Sequence, residues 1–146
     1  MEKTDYGFNK VAVYGLLRRQ MQYLMLRRAN TNYMEGMYSL PAGRVEPGET
    51  LTGALVRELK EEIGITVVRE ALKPVHFAQR VPDSYIDVFY EVSSWEGDPY
   101  NAEPGKASDL DWFFRESLPE DTIPFIRQVI GRIITGQVYS EYQREP

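Results

Sequence analysis

From Gly43 to Ile65 the chain reads GRVEPGETLTGALVRELKEEIGI, and this run constrains the fold more than any other. A Gly/Pro loop leads into a helix that spacing places from about Leu51 to Ile63, with Thr50 as N-cap and Gly64 as the stop. At 100° per residue Glu58, Glu61 and Glu62 fall within roughly one third of the helix circumference. Leu55, Val56, Leu59 and Ile63 form the adjoining apolar arc, so the carboxylates border the buried face. Exposed, each like-charge pair costs a few tenths of a kcal/mol; at about 6 Å and an effective dielectric of about 20 it costs roughly 3 kcal/mol. Arg57 alone is too little compensation. Hard oxygen ligands of this kind suit Mg²⁺ or Mn²⁺.

The plainer reading is that Glu58, Lys60, Glu61 and Glu62 form a solvated helix face. Against it stands a resemblance. At every defined position the run matches the Nudix box G-x5-E-x7-R-E-U-x-E-E-x-G-U, U being a bulky aliphatic residue, through Gly43, Glu49, Arg57, Glu58, Leu59, Glu61, Glu62, Gly64 and Ile65. The chain therefore resembles the Nudix hydrolase family, most closely over the box at 43–65 and more loosely from Val67 onward.

The 146 residues suit one domain, 1–146, and their 42% hydrophobic and 27% charged composition is that of a globular protein. A formal net charge of -5 argues against a long nucleic acid as partner, though a small anion is admissible where metal ions neutralise it. Zero cysteines exclude disulfides, zinc-thiolate sites and a thiol nucleophile. No apolar run has membrane-spanning length, and Met1 to Lys10 carries no apolar leader, so no membrane partner is expected and cytoplasm is the default.

Asn9 to Leu17 and Gln22 to Leu26 read as the strands of a β-hairpin around Arg18-Arg19-Gln20-Met21. Arg27 and Arg28 end the second strand and open a polar loop, Ala29 to Gly36. They are either solvated or placed so that one meets phosphate oxygens bidentately. Pro41 and Gly43 predict a rigid bend before the box. Gly53, costly inside a helix by about 1 kcal/mol, predicts a close backbone approach.

Val67 to Val81 and Tyr85 to Val92 read as strands about the turn Pro82-Asp83-Ser84. In the second, Tyr85, Asp87, Phe89 and Glu91 share one face while Ile86, Val88, Tyr90 and Val92 share the other, which predicts a strand covered on both sides. His76 reads as structural, since no nucleophile pattern surrounds it. Trp95 to Ser108 reads as a long loop. Ile123 to Ile134 has helical periodicity, started near Pro124 and ended at Gly136, and predicts an amphipathic helix over the second face of the sheet. The polar tail from Gln137 reads either as an oligomer contact, which leaves a homodimer open, or as loosely ordered.

The resemblance implies an α/β fold, an α/β/α sandwich around a mixed β-sheet, and hydrolysis of a diphosphate linkage in a nucleoside derivative by water. It implies Glu58, Glu61 and Glu62 as metal ligands, joined by the carbonyl near Gly43, and Glu49 pairing with Arg57 to brace the loop against the helix. It makes Glu103, ahead of a strand containing Trp112, a metal ligand or base; the alternative is an exposed loop carboxylate. Glu61 and Glu103 stand equally as the proton acceptor. Asn-x-Glu-Pro-x-Lys followed by tryptophan looks like the subgroup that splits nucleoside triphosphates into monophosphate and pyrophosphate. Ser39 stands where some enzymes for oxidised guanine nucleotides have asparagine. Tyr33, Tyr38, Tyr85 and Phe89 are candidates to stack on a base. The alternatives are ADP-ribose, a nucleotide sugar, a dinucleoside polyphosphate or the 5′ triphosphate of RNA as substrate, or a non-catalytic nucleotide sensor.

Overall fold

In the computed structural model, which describes residues 7–146, the alternating apolar residues after Asn9 form strand β1 (Lys10–Arg19), and a two-residue turn returns it as β2 (Gln22–Arg28). Gln20 takes φ 57, the positive value that the first position of a primed hairpin turn requires. Residues 1–6, part of the stretch read as lacking an apolar leader, lie outside the described residues. β1 and β2 pair only at Arg18↔Tyr23 and Arg19↔Gln22. Beyond that point they part.

β1 enters a mixed sheet, antiparallel to β4 (Ala42–Arg44) and parallel to β6 (Tyr85–Val92). The sheet continues through β5 (Leu72–Arg80), antiparallel to β6, and ends at β8 (Tyr139–Tyr142), parallel to β5. β2 enters an antiparallel sheet between β3 (Tyr38–Ser39) and β7 (Ala107–Phe114). The divergence leaves a cleft between the two sheets.

Helix α1 (Leu51–Ile63) begins where the Thr50 side chain accepts from the Gly53 N–H and ends at Gly64, φ 71. It buries Leu55, Leu59 and Ile63 against Val13, Val88, Tyr90 and Val92. Helix α2 (Pro124–Ile134) starts on its proline and buries Phe125, Ile126, Val129 and Ile130 against Tyr14, Leu16, Ala78 and Phe89 on the opposite face. β6 thus supplies large residues to both cores, and the α/β/α sandwich is the fold. Each fully buried aliphatic or aromatic side chain contributes about 1.5–3 kcal/mol, so both layers are held mainly by apolar burial.

Four expectations are corrected. Val67 to Ala71 is not strand: Ile65, Val67 and Ala71 are buried under α1 as irregular chain and a short 3-10 turn at Arg69–Ala71, so apolar content there reflects burial, not pairing. The tail is not loose over 139–142, because β8 joins the sheet edge and buries Ser140 and Tyr142, while Tyr139 and Glu141 stay exposed. His76, structural as read, bonds the Gln137 carbonyl at 2.8 Å and the Ser140 hydroxyl at 2.8 Å, which pins that edge. The close approach at Gly53 is made by side chains: a Cβ would meet Thr50 Oγ1 at 2.9 Å and Arg69 Nη2 at 3.3 Å. Finally, Gly43 lies not in a bend but inside β4, paired with Val13.

Candidate active site

Strand β4 crosses α1 at Gly43, where a Cβ would overlap the Glu58 carboxyl group. Only glycine permits this approach, and it sets the β4 backbone against the helix carboxylates. The Ala42 N–H, one residue earlier, faces Glu62 Oε2 at 3.4 Å.

Arg57 is the hub of the helix charges. Its Nε and Nη2 donate to the two oxygens of Glu49 at 2.7 and 2.9 Å, a bidentate pair that ties the Pro47-Gly48 loop to α1. Nη1 donates to Glu58 at 2.8 Å and to Glu61 at 3.3 Å, and Nη2 to the Arg44 carbonyl at 3.2 Å. Bonds from Arg57 and from the Glu46 N–H hold the Glu49 carboxyl down to about 2. The two carboxyls nearest the interior go the other way. Burial pushes Glu58 up despite Arg57, and burial plus the neighbouring Glu58 charge push Glu62 well up. Glu61 is half exposed.

The loop carrying Glu103 is bolted to the end of α1. The Tyr100 N–H donates to the Ile63 carbonyl at 3.0 Å and the Ala102 N–H to the Glu62 carbonyl at 3.0 Å. Asn101 accepts from the Glu103 N–H at 3.2 Å and donates to the Ala107 carbonyl at 2.7 Å. Glu103 pairs with Lys106 at 3.4 Å and adds its charge to the field that raises Glu62.

Arg57, the three helix carboxylates and Glu103 face a cavity of about 940 Å³. Glu58, Glu61, Glu62, Glu103, Arg57 and Gly43 line its acidic part; Arg28, Tyr33 and Tyr85 line it elsewhere. Glu49 acts behind it, through Arg57. Two expected binding residues do not reach it: Arg27 turns to the Gly36 carbonyl at 2.8 Å, and the Tyr38 hydroxyl bonds Asp109 at 2.5 Å while its ring packs edge-on to Phe113. Phe89, completely buried and stacked on Tyr14, is core. Sequence reasoning missed Lys10, Tyr14, Arg80 and Asp83, which also line the cavity. The one signal for Arg80 was the Pro82-Asp83-Ser84 turn, whose hairpin register sets Arg80 opposite Tyr85 and diagonal to Asp87, so that the two charged side chains share one face.

The donor set fits a hard divalent cation. Glu58 and Glu62 are forced together with too little positive charge between them, so a dication in their place of protonation relieves both burial and repulsion. Among the described residues no three acidic or imidazole side chains already converge on one point; Arg57 sits between Glu58 and Glu61 and satisfies both. Among the same residues no helix is long and apolar enough to cross a membrane.

Comparison with known proteins matches this arrangement. The chain is 33% identical over 125 residues to an 8-oxo-dGTP diphosphatase of Escherichia coli, covering 79% of this chain and 92% of that one. It is 33% identical over 115 residues to an NAD-capped RNA hydrolase NudC of Chromobacterium violaceum, covering 77% of this chain but only 41% of that relative's length. A crystal structure of a MutT NUDIX hydrolase from Burkholderia pseudomallei superposes with a TM-score of 0.78 at 22% identity, over 86% of this chain and 98% of that one. The model of the NUDIX domain matches residues 8–132, and the chain belongs to the NUDIX family.

Proposed function

We propose that this chain is a divalent-metal-dependent pyrophosphohydrolase that uses water to cleave a nucleoside triphosphate, releasing nucleoside monophosphate and pyrophosphate. The observation that carries it is the under-compensated group Glu58, Glu61 and Glu62 opening into a cavity of about 940 Å³, a size suited to a nucleotide. The 8-oxo-dGTP diphosphatase relative supports the substrate class and extends it to oxidised nucleotides. Two apolar cores on either face of one sheet support reading 1–146 as a single catalytic domain.

In this reading Glu58, Glu61 and Glu62, with the Gly43 carbonyl, hold Mg²⁺ or Mn²⁺. When bound, the metal neutralises phosphoryl oxygens and lowers the pKa of a water molecule. Arg57, fixed by Glu49, keeps Glu58 and Glu61 in place. Glu61 or Glu103 accepts the proton of the attacking water. Glu103 is suited to this by its attachment, through Asn101 and Ala102, to the end of the helix that carries Glu62. Arg28 lines the same cavity and is available to phosphate oxygens, its Nε alone being tied to the Tyr33 carbonyl at 2.8 Å.

A second reading, a diphosphate-bridged dinucleotide as substrate, draws on the NAD-capped RNA hydrolase relative. One experiment separates them: release of phosphate and pyrophosphate with and without Mg²⁺ across nucleoside triphosphates, oxidised nucleotides, ADP-ribose, nucleotide sugars and dinucleoside polyphosphates. A metal-dependent preference for triphosphates, with pyrophosphate as product and loss in Glu61→Gln, is the expected result. Preference for a dinucleotide selects the second reading, and silence from folded protein rejects both.

A further inference from the structure

We infer that Lys106 is a phosphate-binding residue of the cavity, and that Glu103 holds it out of use until the carboxylate is engaged elsewhere. The inference rests on the cavity being a nucleotide site, as proposed above. Glu103 and Lys106 both line it, paired at 3.4 Å. They are the first and fourth residues of a tight turn, Glu103-Pro104-Gly105-Lys106, closed by the Lys106 N–H on the Glu103 carbonyl at 2.8 Å. The turn is fixed on its far side as well: the Ala29 N–H donates to the Lys106 carbonyl at 2.9 Å, and Asn30 Nδ2 to the Gly105 carbonyl at 3.0 Å. Its backbone therefore sets the two side chains next to each other, and only the side chains are free to change partner. Arg28 ends β2 opposite Ala107, so Arg28 and Lys106 stand on one rim of the cavity.

The other cations of the cavity set Lys106 apart. Arg57 is divided among Glu49, Glu58 and Glu61. Arg80 is forked onto Asp87 and lies between the Tyr85 and Phe125 rings, and Lys10 lies over the same Tyr85 ring at 4.6 Å. Arg28 and Arg44 have no carboxylate partner among the described residues, and meet an anion in any state of the site. Among these cations only Lys106 is held by a single carboxylate, with 71% of its side chain exposed. An exposed pair of this kind is weak, within about a fivefold change in an equilibrium constant. Phosphate oxygens offer the ammonium a stronger partner. Glu103 has an alternative of its own: its charge already reaches Glu62, so it can exchange the lysine for a dication held by Glu58 and Glu62. The exchange turns one neutral pair into a cation for phosphate and a carboxylate for the metal or the attacking water. Metal and nucleotide then favour each other's binding through this ion pair.

Calorimetric titration of dGTP in EDTA tests this with neither metal nor turnover, on the wild type, Glu103→Gln, Lys106→Gln and the double variant. The substituted side chains are a part-exposed carboxylate and an exposed lysine, so neither change opens a core. Glu103→Gln should tighten dGTP, and by up to about fivefold more when Lys106 is present than when it is glutamine. Simple repulsion between Glu103 and phosphate gives the opposite order, because the lysine screens that carboxylate and its loss makes Glu103→Gln matter more. Lys106→Gln should correspondingly weaken dGTP more in the Glu103→Gln protein than in the wild type. Equal effects of Glu103→Gln in the two backgrounds, a larger effect without Lys106, or no loss from Lys106→Gln in the Glu103→Gln protein would overturn the inference. So would dGTP binding by none of the four proteins. Metal-dependent turnover in the substrate panel alongside a failed titration rejects the role of Lys106 and keeps the proposed function. Silence in the panel alongside the expected titration keeps Lys106 as a phosphate ligand and rejects the hydrolysis.

Discussion

At one end of the cavity Glu49, Glu58 and Glu61 divide a single arginine while Glu62 goes without; three strands away one arginine is gripped by Asp87 and Asp83. Both groups are charged and partly or wholly withdrawn from water, yet they carry opposite balances. Asp87 is also pushed up by burial, but it keeps a bidentate partner. Glu62 has only the Ala42 N–H and a neighbour of like charge. A balanced buried pair holds shape without help, whereas an unbalanced one favours whatever cation arrives. The contrast separates a fixed piece of scaffold from a site that waits for a ligand.

The largest effect should come from unbalancing the balanced pair. Arg80→Leu leaves Asp87 buried and unpaired and should destabilise the fold by about 3–5 kcal/mol in urea unfolding; the double change Arg80→Leu/Asp87→Leu should regain most of it. If the single change is harmless, the pair is not holding shape. Next, Glu58→Gln should lower metal-dependent hydrolysis by about a hundredfold, nearly 3 kcal/mol of barrier, with the fold intact by circular dichroism. Glu62→Gln should sharpen the contrast by reversing the sign seen at Arg80: removing a poorly matched buried charge should stabilise the metal-free protein by about 1 kcal/mol. It should also shrink the rise in melting temperature that millimolar Mg²⁺ gives the wild type.

The smallest effect is in the pH dependence of metal-free stability. Glu62 has its folded pKa above the unfolded value of 4.5, so the stability it lends is full below 4.5 and is lost as pH rises through the folded value. Glu49, held at about 2, lends stability that is full above 4.5 and is lost as pH falls towards 2. Urea midpoints across this range should therefore flatten on the neutral side in Glu62→Gln and on the acid side in Glu49→Gln. A wild-type curve unaltered by either change would remove both assignments.

The parts legible in the sequence were those whose causes are local. Thr50 and Gly64 mark the ends of α1, Pro124 marks the start of α2, and the two-sided pattern of Tyr85 to Val92 marks a strand between layers. β8 was not legible, since its four residues acquire a reason to be strand only when Ser140 meets His76 on β5. In the site, the clustering of the helix carboxylates followed from spacing, whereas the pairing of Glu49 with Arg57 was implied by the resemblance. Arg27 and Arg28 could not be told apart in sequence, and it is strand alternation that sends Arg28 to the cavity and Arg27 to Gly36. Tyr38 was lost to Asp109, a partner 71 residues away.

β1 has a consequence for how the chain reaches this state. It sits between β4 and β6, and its parallel partner begins at Tyr85, about half the chain beyond Lys10. The hairpin turn at Gln20 and the first turns of α1 involve near neighbours and form early. The register Lys10↔Tyr85 instead requires a long segment to close on itself before any contact rewards it. Folding speed should therefore track substitutions at the β1–β6 interface, such as Val13→Ala or Val88→Ala, more closely than substitutions at the tip of the hairpin. Until that closure, one edge of the future central strand stands open to neighbouring chains, so self-association during refolding should grow with protein concentration and fade once β6 has docked.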